Sequence, residues 1–188
     1  MGEVRDLGRA LLAELTASFS AVCEEEVAPL INRILEAPTI FIDGKGRSGL
    51  QARGFAMRLM HLGLRVHVVD EVTTPALTPG DLLIIASGSG RTPSLVQHAS
   101  KARELGAVIA LITATPGSLI AGVANHVVEV RAPTPKSGER ALSITTQQPM
   151  ASLFEMTLGL LFDAVVVLLM RRIGITSERM FKNHANLE

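Results

Sequence analysis

The 188-residue chain has no tryptophan, no tyrosine and a single cysteine, Cys23. One thiol builds no intrachain disulfide and no thiolate zinc site, which points to a reducing cytoplasm. Aromatic residues make up only 3% of the sequence, so base-stacking platforms for single-stranded nucleic acid are not expected. Charge of either sign is also not in excess: Lys plus Arg and Asp plus Glu each number 18, for a formal net charge of +0. A nucleic-acid partner would call for a basic surplus, and none is expected. The N-terminal stretch MGEVRDLGRALLAEL scatters its charges and has no continuous apolar run, so no secretory leader is expected. The most apolar stretch, Leu158 to Met170, falls short of the roughly 20 residues a bilayer takes, and Asp163 interrupts it. It reads as a buried helix, and no membrane partner is expected.

What is present is apolar and periodic. Hydrophobic residues make up 47% of the chain, enough for one domain with a substantial core. We expect a single domain over 1–188, with an N-terminal helical segment (1–37) and a sheet core with C-terminal helices (38–188). From Val4 to Leu35 apolar residues recur every three or four positions, which predicts helix, with Pro29 as a break or kink. Strand and helix then alternate. Strands are predicted at Thr39–Asp43, Arg65–Val69, Leu82–Ala86, Ala107–Thr113 and His126–Val130. Helices are predicted at Leu50–Leu62, Thr92–Leu105, a short Ser118–Ala121, Met150–Ile173 and around Glu178–Phe181. Arg131–Gln148 has no period and reads as a loop. Runs such as LLIIA and VIALI are apolar throughout, as in strands covered on both faces. The fold class expected is α/β, a doubly wound three-layer α/β/α sandwich on a parallel sheet of about five strands, flanked by N-terminal and C-terminal helices.

Two glycine-rich segments follow strands and open helices: GKGRSG (Gly44–Gly49) after TIFID, and SGSGRT (Ser87–Thr92) after LLIIA. Both therefore belong at the carboxyl edge of the sheet, where open α/β sheets bind ligands. Glycine lets the backbone approach an anion, and helix N-termini supply N–H donors. With the hydroxyls of Ser48, Ser87, Ser89 and Thr92, they describe a pocket for a small phosphorylated ligand. We assign Gly46, Arg47, Ser48, Ser87, Gly88, Ser89 and Thr92 to phosphate and substrate binding. The first segment also matches G-x-G-x-x-G, and Asp70 ends the next strand where a ribose-binding acid would stand. Against a dinucleotide count the lack of room for a substrate domain, the second serine-rich loop, and the cluster of Lys45, Arg47 and Ser48.

GKGRSG, AMRLMHLG (Ala56–Gly63), EVTTPA (Glu71–Ala76), GDLLIIASGSGRT (Gly80–Thr92), SLFE (Ser152–Glu155) and HANLE (His184–Glu188) together resemble the 6-phospho-3-hexuloisomerases of the sugar isomerase (SIS) domain superfamily. The likeness extends from about Thr39 to the last residue. It implies a SIS-type fold and interconversion of D-arabino-3-hexulose 6-phosphate with fructose 6-phosphate, functionally linked to 3-hexulose-6-phosphate synthase in formaldehyde fixation. It also implies a homotetramer built from dimers, with sites near interfaces; the excess of apolar helix surface independently suggests an oligomer. Arg91 stands in a variable place of the second loop, and the flanks of SITTQQPMA depart from family forms.

Such an isomerisation needs a proton taken from one carbon and returned to its neighbour, with no redox cofactor and no metal required. Glu155, in an otherwise apolar stretch, is the first candidate base, and SLFE matches the family motif for it. Its alternative is a capping box with Ser152. His184, in the HANLE tail, is the second candidate and is placed to complete a neighbouring subunit's site. His61, near the end of its helix, is a third, with a structural role as its alternative. His67, His98 and His126 read as structural, and their spacing suggests no metal site. Arg47 reads as a phosphate or sugar ligand or as a surface charge. Thr73 and Thr74 read as pocket border or as turn formers beside Pro75, and the methionines read as core. Another sugar-phosphate isomerase of the superfamily, for example one acting on arabinose 5-phosphate, and a non-catalytic sugar-phosphate sensor are the alternatives. The N-terminal segment is too short and neutral for the DNA-binding domain a sensor would carry. The region before Thr39 displays no functional motif.

Overall fold

Strands β1 (Ile40–Gly44), β2 (Val66–Val68), β3 (Leu82–Ala86), β4 (Val108–Thr113) and β5 (His126–Glu129) form one sheet in the order β2-β1-β3-β4-β5, every pair parallel. The helices are α1 (Glu3–Ser20), α2 (Glu24–Glu36), α3 (Gly46–His61), α4 (Pro93–Glu104), α5 (Ser152–Ile173) and α6 (Ser177–Phe181). These come from a computed structural model that describes residues 2–135 and 144–187. Part of the expected Arg131–Gln148 loop, and the terminal Met1 and Glu188, lie outside the described residues.

Alternation along the strands decides the layering. Ile40, Ile42, Leu82, Ile84, Ala110 and Ile112 point to one face, where they pack with buried residues of α2, α3 and α5. Phe41, Leu83, Ile85, Ile109 and Leu111 point to the other, against Leu95, Ala99 and Ala102 of α4. With helices on both faces, the sheet is doubly wound as the patterning predicts. α1 lies further out, packed on α5. α5 is long and apolar enough to cross a membrane by length and composition, but here it is the central core helix, with Leu158, Leu161, Val165 and Leu169 buried. It extends beyond the Leu158–Met170 stretch, with Glu155 in its first turn and Arg171 and Arg172 in its last, the charge placement a helix dipole favours.

Three local expectations are corrected. The N-terminal helix breaks at Ala21–Cys23, and Pro29 sits inside α2. Glu24, Glu25 and Glu26 crowd the first turn of α2, where carboxylates favour a helix start. Pro29 forfeits one backbone hydrogen bond without ending the helix. Ser118–Ala121 forms turns rather than a helix; Pro116 and Gly117 precede it, and the bonds Ser118 N to Thr115 O and Gly122 N to Ser118 O close single turns. Finally, α3 starts at Gly46 rather than Leu50, so most of the first glycine segment is already helical.

Candidate active site

The order of the strands reverses between β1 and β3, which are neighbours with Gly44 opposite Ala86. Chain leaving these two strands diverges to opposite faces and opens a crevice at their carboxyl ends, the expected ligand position in an open α/β sheet. A cavity of about 320 Å³ occupies it, lined by Gly46, Arg47 and Ser48 on one side and Ser87, Gly88, Ser89 and Thr92 on the other. The structure thus brings all seven predicted phosphate-loop residues to one cavity, with Glu155 in its wall.

Close backbone packing shapes both loops. A Cβ on Gly49 would stand 2.5 Å from the Gly44 carbonyl oxygen, so glycine there lets α3 start directly against β1. Gly90 has φ +57, and a Cβ on it would meet Ser118 Oγ at 2.0 Å. In the second loop the Gly88 carbonyl accepts from Thr113 Oγ1, Thr115 Oγ1 and Ala114 N, each at 3.1 Å. The Gly90 carbonyl accepts from Ile120 N at 3.1 Å. These acceptors are turned toward the β4 side, which removes carbonyl oxygens from the cavity wall and suits an anion. Ser87 Oγ accepts from Gly90 N at 3.1 Å and holds the turn. Thr92, the N-cap of α4, makes no side-chain cap to its own helix and lines the cavity.

Glu155 lies on the first turn of α5 with a side chain 13% exposed, and its Oε2 stands 3.4 Å from Arg47 Nη1. Arg47 also donates to Ser152 Oγ at 3.0 Å. Ser152 makes no capping box: the N-cap is Ala151, and Glu155 N donates to the Ala151 carbonyl at 3.0 Å. In the sequence Arg47 reads as ligand or surface charge; only the fold links it to Ser152 and Glu155. Thr134, Pro135, Met150 and Ala151 of the cavity wall are not among the residues the loops and motifs point to. The signal for Thr134 and Pro135 was present: they follow β5, and parallel strands bring every strand-to-helix connection to one edge.

His61 and His184 come together, with ring centroids 5.3 Å apart, but at the other end of α3. From Gly46 to His61 the helix rises roughly 22 Å at 1.5 Å per residue, so this pair does not reach Glu155 of its own chain. Asn183 Nδ2 donates to the His61 carbonyl at 2.9 Å and fixes the tail there. Burial, then the neighbouring Arg58 and His184, push the His61 imidazole below its ordinary value.

His98, read as structural from the sequence, makes a polar contact across the fold. Its Nδ1 meets buried Asp43 Oδ2 at 2.7 Å, and Asp43, Asp70 and His98 gather ligand-type atoms within 4.8 Å of one another. They come from β1, the turn after β2 and α4, so sequence spacing gave no sign of the cluster. The Lys45 ammonium lies among them, paired to Asp70 and 3.6 Å from Asp43 Oδ1, and supplies the positive charge there. The hydrogen bond between Lys45 and Asp70 lowers the Asp70 carboxyl and raises the Lys45 ammonium from their ordinary values. Glu71, next to Asp70, pairs with Arg53 of α3.

A model of the SIS domain matches residues 33–169. This chain belongs to the SIS domain family. Among SIS relatives, the 3-hexulose-6-phosphate isomerase of Bacillus subtilis is 47% identical over 178 residues, covering 95% of each chain. The 3-hexulose-6-phosphate isomerase of Mycobacterium gastri is 41% identical, over 93% of this chain and 86% of that one. A solved structure from Methanococcus jannaschii, described as inferring a molecular function of 3-hexulose-6-phosphate isomerase, superposes with a TM-score of 0.83 at 32% identity, covering 97% and 99% of the two chains. The SIS fold and the isomerase relatives thus coincide with what the glycine loops and SLFE imply.

Proposed function

We propose that this chain is a 3-hexulose-6-phosphate isomerase, interconverting D-arabino-3-hexulose 6-phosphate and fructose 6-phosphate. The observation that carries the reading is the placement of Glu155 in the wall of the cavity framed by the two glycine segments. A phosphate at the N-termini of α3 and α4 would meet backbone N–H groups and the hydroxyls of Ser48, Ser87, Ser89 and Thr92. Anchored there, the sugar is held with C2 and C3 toward α5, and remote binding energy orients the reacting carbons.

In the forward direction the Glu155 carboxylate takes the C2 proton of the 3-ketose. The C2–H electron pair forms the C2–C3 double bond, and the C3 carbonyl oxygen takes a proton, giving an enediol. Return of a proton to C3 and loss of the O2 proton leave the carbonyl at C2. Positioned proton transfer of this kind contributes about 10²–10⁴-fold. Arg47, bonded to Ser152 and facing Glu155, orients the carboxylate and offers its remaining N–H groups to a sugar oxygen. The His61 and His184 pair, remote from its own cavity, is read as completing the site of a neighbouring subunit in a homotetramer. We read the chain as one SIS domain over 1–188, acting in the cytoplasm on the product of a 3-hexulose-6-phosphate synthase.

The experiment is turnover of D-arabino-3-hexulose 6-phosphate formed in situ, with fructose 6-phosphate coupled through phosphoglucose isomerase to glucose-6-phosphate dehydrogenase. Turnover that is lost in Glu155→Gln is expected. Turnover surviving in that variant would move the base elsewhere. No turnover by the wild type, with fructose 6-phosphate still raising Tm, would leave a different sugar-phosphate isomerase or a sensor.

A further inference from the structure

The N-terminal helix carries no motif, and α1 lies wholly before the residues matched to the SIS domain. It nevertheless grips the chain on either side of the cavity wall. Glu14 accepts three hydrogen bonds from one short segment: Thr146 Oγ1 at 2.6 Å, Gln147 N at 3.1 Å and Gln148 Nε2 at 3.0 Å. These donors, Thr146 first, lower the Glu14 carboxyl from its ordinary value. One turn further along α1, fully buried Ser18 donates to the Arg131 carbonyl at 2.9 Å and lies 3.0 Å from Thr157 Oγ1 of α5.

The segment that Glu14 holds leads straight into the candidate site. Gln148 precedes Pro149, whose carbonyl accepts from Ser152 N at 3.2 Å. Between them Met150, a cavity-lining residue, has φ +58, a left-handed conformation that side chains other than glycine seldom adopt. Such strain costs of order 1–3 kcal/mol and persists only where the surroundings over-determine it. Here the surroundings are the three bonds to Glu14 upstream and the start of α5 downstream. The turn ends at Ser152, which receives Arg47, and one helical turn later stands Glu155.

We propose that Glu14 is a positioning residue for the proton-transferring carboxylate: by pinning 146–148 it fixes the strained turn at Met150, and through it the register at which α5 presents Ser152 and Glu155 to the cavity. The proposal rests on Glu155 being the base. It assigns Glu14 no contact with substrate, so loss of its bonds affects the chemical step more than phosphate binding. A misplacement of about 1 Å at a reacting group costs on the order of 10²-fold.

The test compares wild type, Glu14→Gln, Thr146→Val and Glu155→Gln as full-length proteins, measuring kcat, KM and Tm, with hydrogen exchange of the amides at 150–155. Glu14→Gln keeps shape but turns an amide NH₂ toward donors. The expected result is a kcat at least about 10-fold lower with KM within about 3-fold, since the phosphate loops are untouched. Faster exchange at 150–155 and a smaller kcat loss in Thr146→Val accompany it. In a Glu155→Gln background the Glu14 effect on residual turnover disappears. Wild-type kcat in folded Glu14→Gln, or a loss confined to KM or Tm, overturns the positioning role while an inactive Glu155→Gln leaves the base intact. Full turnover by Glu155→Gln overturns the base assignment, and the proposal with it.

Discussion

Arg47 Nη1 stands 3.4 Å from Glu155 Oε2 and donates from the same nitrogen to Ser152 Oγ at 3.0 Å. One guanidinium thereby ties the first turn of α3, which begins one phosphate loop, to the first turn of α5, which carries the candidate base. The two helices open at the same cavity, and the pair joins its two walls.

Replacing Arg47 by Lys is expected to lower kcat by roughly 10–10²-fold, because an ammonium on a different stem does not reproduce the guanidinium geometry that places Nη1 between Ser152 and Glu155. With about half of the Arg47 side chain exposed, Tm should barely change. Steady-state kinetics beside a thermal melt checks both halves; a wild-type kcat would remove Arg47 from the site.

Thr92 offers a cleaner probe of the phosphate pocket, since its hydroxyl is not spent on capping α4. Thr92→Val is expected to weaken fructose 6-phosphate binding about 10–10²-fold, the loss of a single hydrogen bond to a charged group, with little change in Tm. Calorimetric titration measures it, and equal affinities would direct the hydroxyl elsewhere.

Glycine substitutions should divide by position. Gly49→Ala forces a Cβ to within 2.5 Å of the Gly44 carbonyl and is expected to cost about 1–3 kcal/mol, seen as a lower Tm and a raised KM. Gly8→Ala, in α1 with nothing within 4 Å of the added Cβ, is expected to raise Tm slightly, because alanine is the better helix former by roughly 1 kcal/mol. Opposite signs in melting curves of the two variants are the decisive outcome.

His61 sets a pH dependence. Its folded-state value lies below the ordinary 6.5, so as pH falls through that value the unfolded chain takes up a proton that the folded protein resists. The stability that neutral His61 contributes is complete above about 6.5 and is lost progressively on acidification toward the lower folded value. Melts between pH 7.5 and 5.5 should therefore fall less steeply in His61→Gln than in wild type; identical slopes would refute the assignment.

Much of the fold was legible because its signals are local. Apolar runs such as LLIIA mark doubly covered strands, and the glycines after β1 and β3 mark tight turns, with no room for a Cβ at Gly49 or Gly90. Strand period and turn chemistry act over a few residues, so they survive in one dimension, and strand-helix alternation adds the parallel order that gathers the two loops. Pro29 does not break the chain as a helix end: it sits inside α2, which three consecutive glutamates start.

Partner choice was not local, and the tertiary structure decided it. Arg47 and Ser152 are 105 residues apart in sequence, Glu14 and Thr146 are 132 apart, and His61 and Asn183 are 122 apart. His61 and Glu155 are both candidates in the sequence, Glu155 the first and His61 the third. The length of α3 separates them within one chain, because a helix carries its two ends apart by a fixed rise per residue. The sequence by itself determined the layered α/β architecture and the two phosphate-type loops, through periodicity and steric limits at glycine. Only the packing of α1, α3 and α5 determined which charged groups meet at the cavity, because side-chain contacts across the fold depend on how whole helices seat against one another.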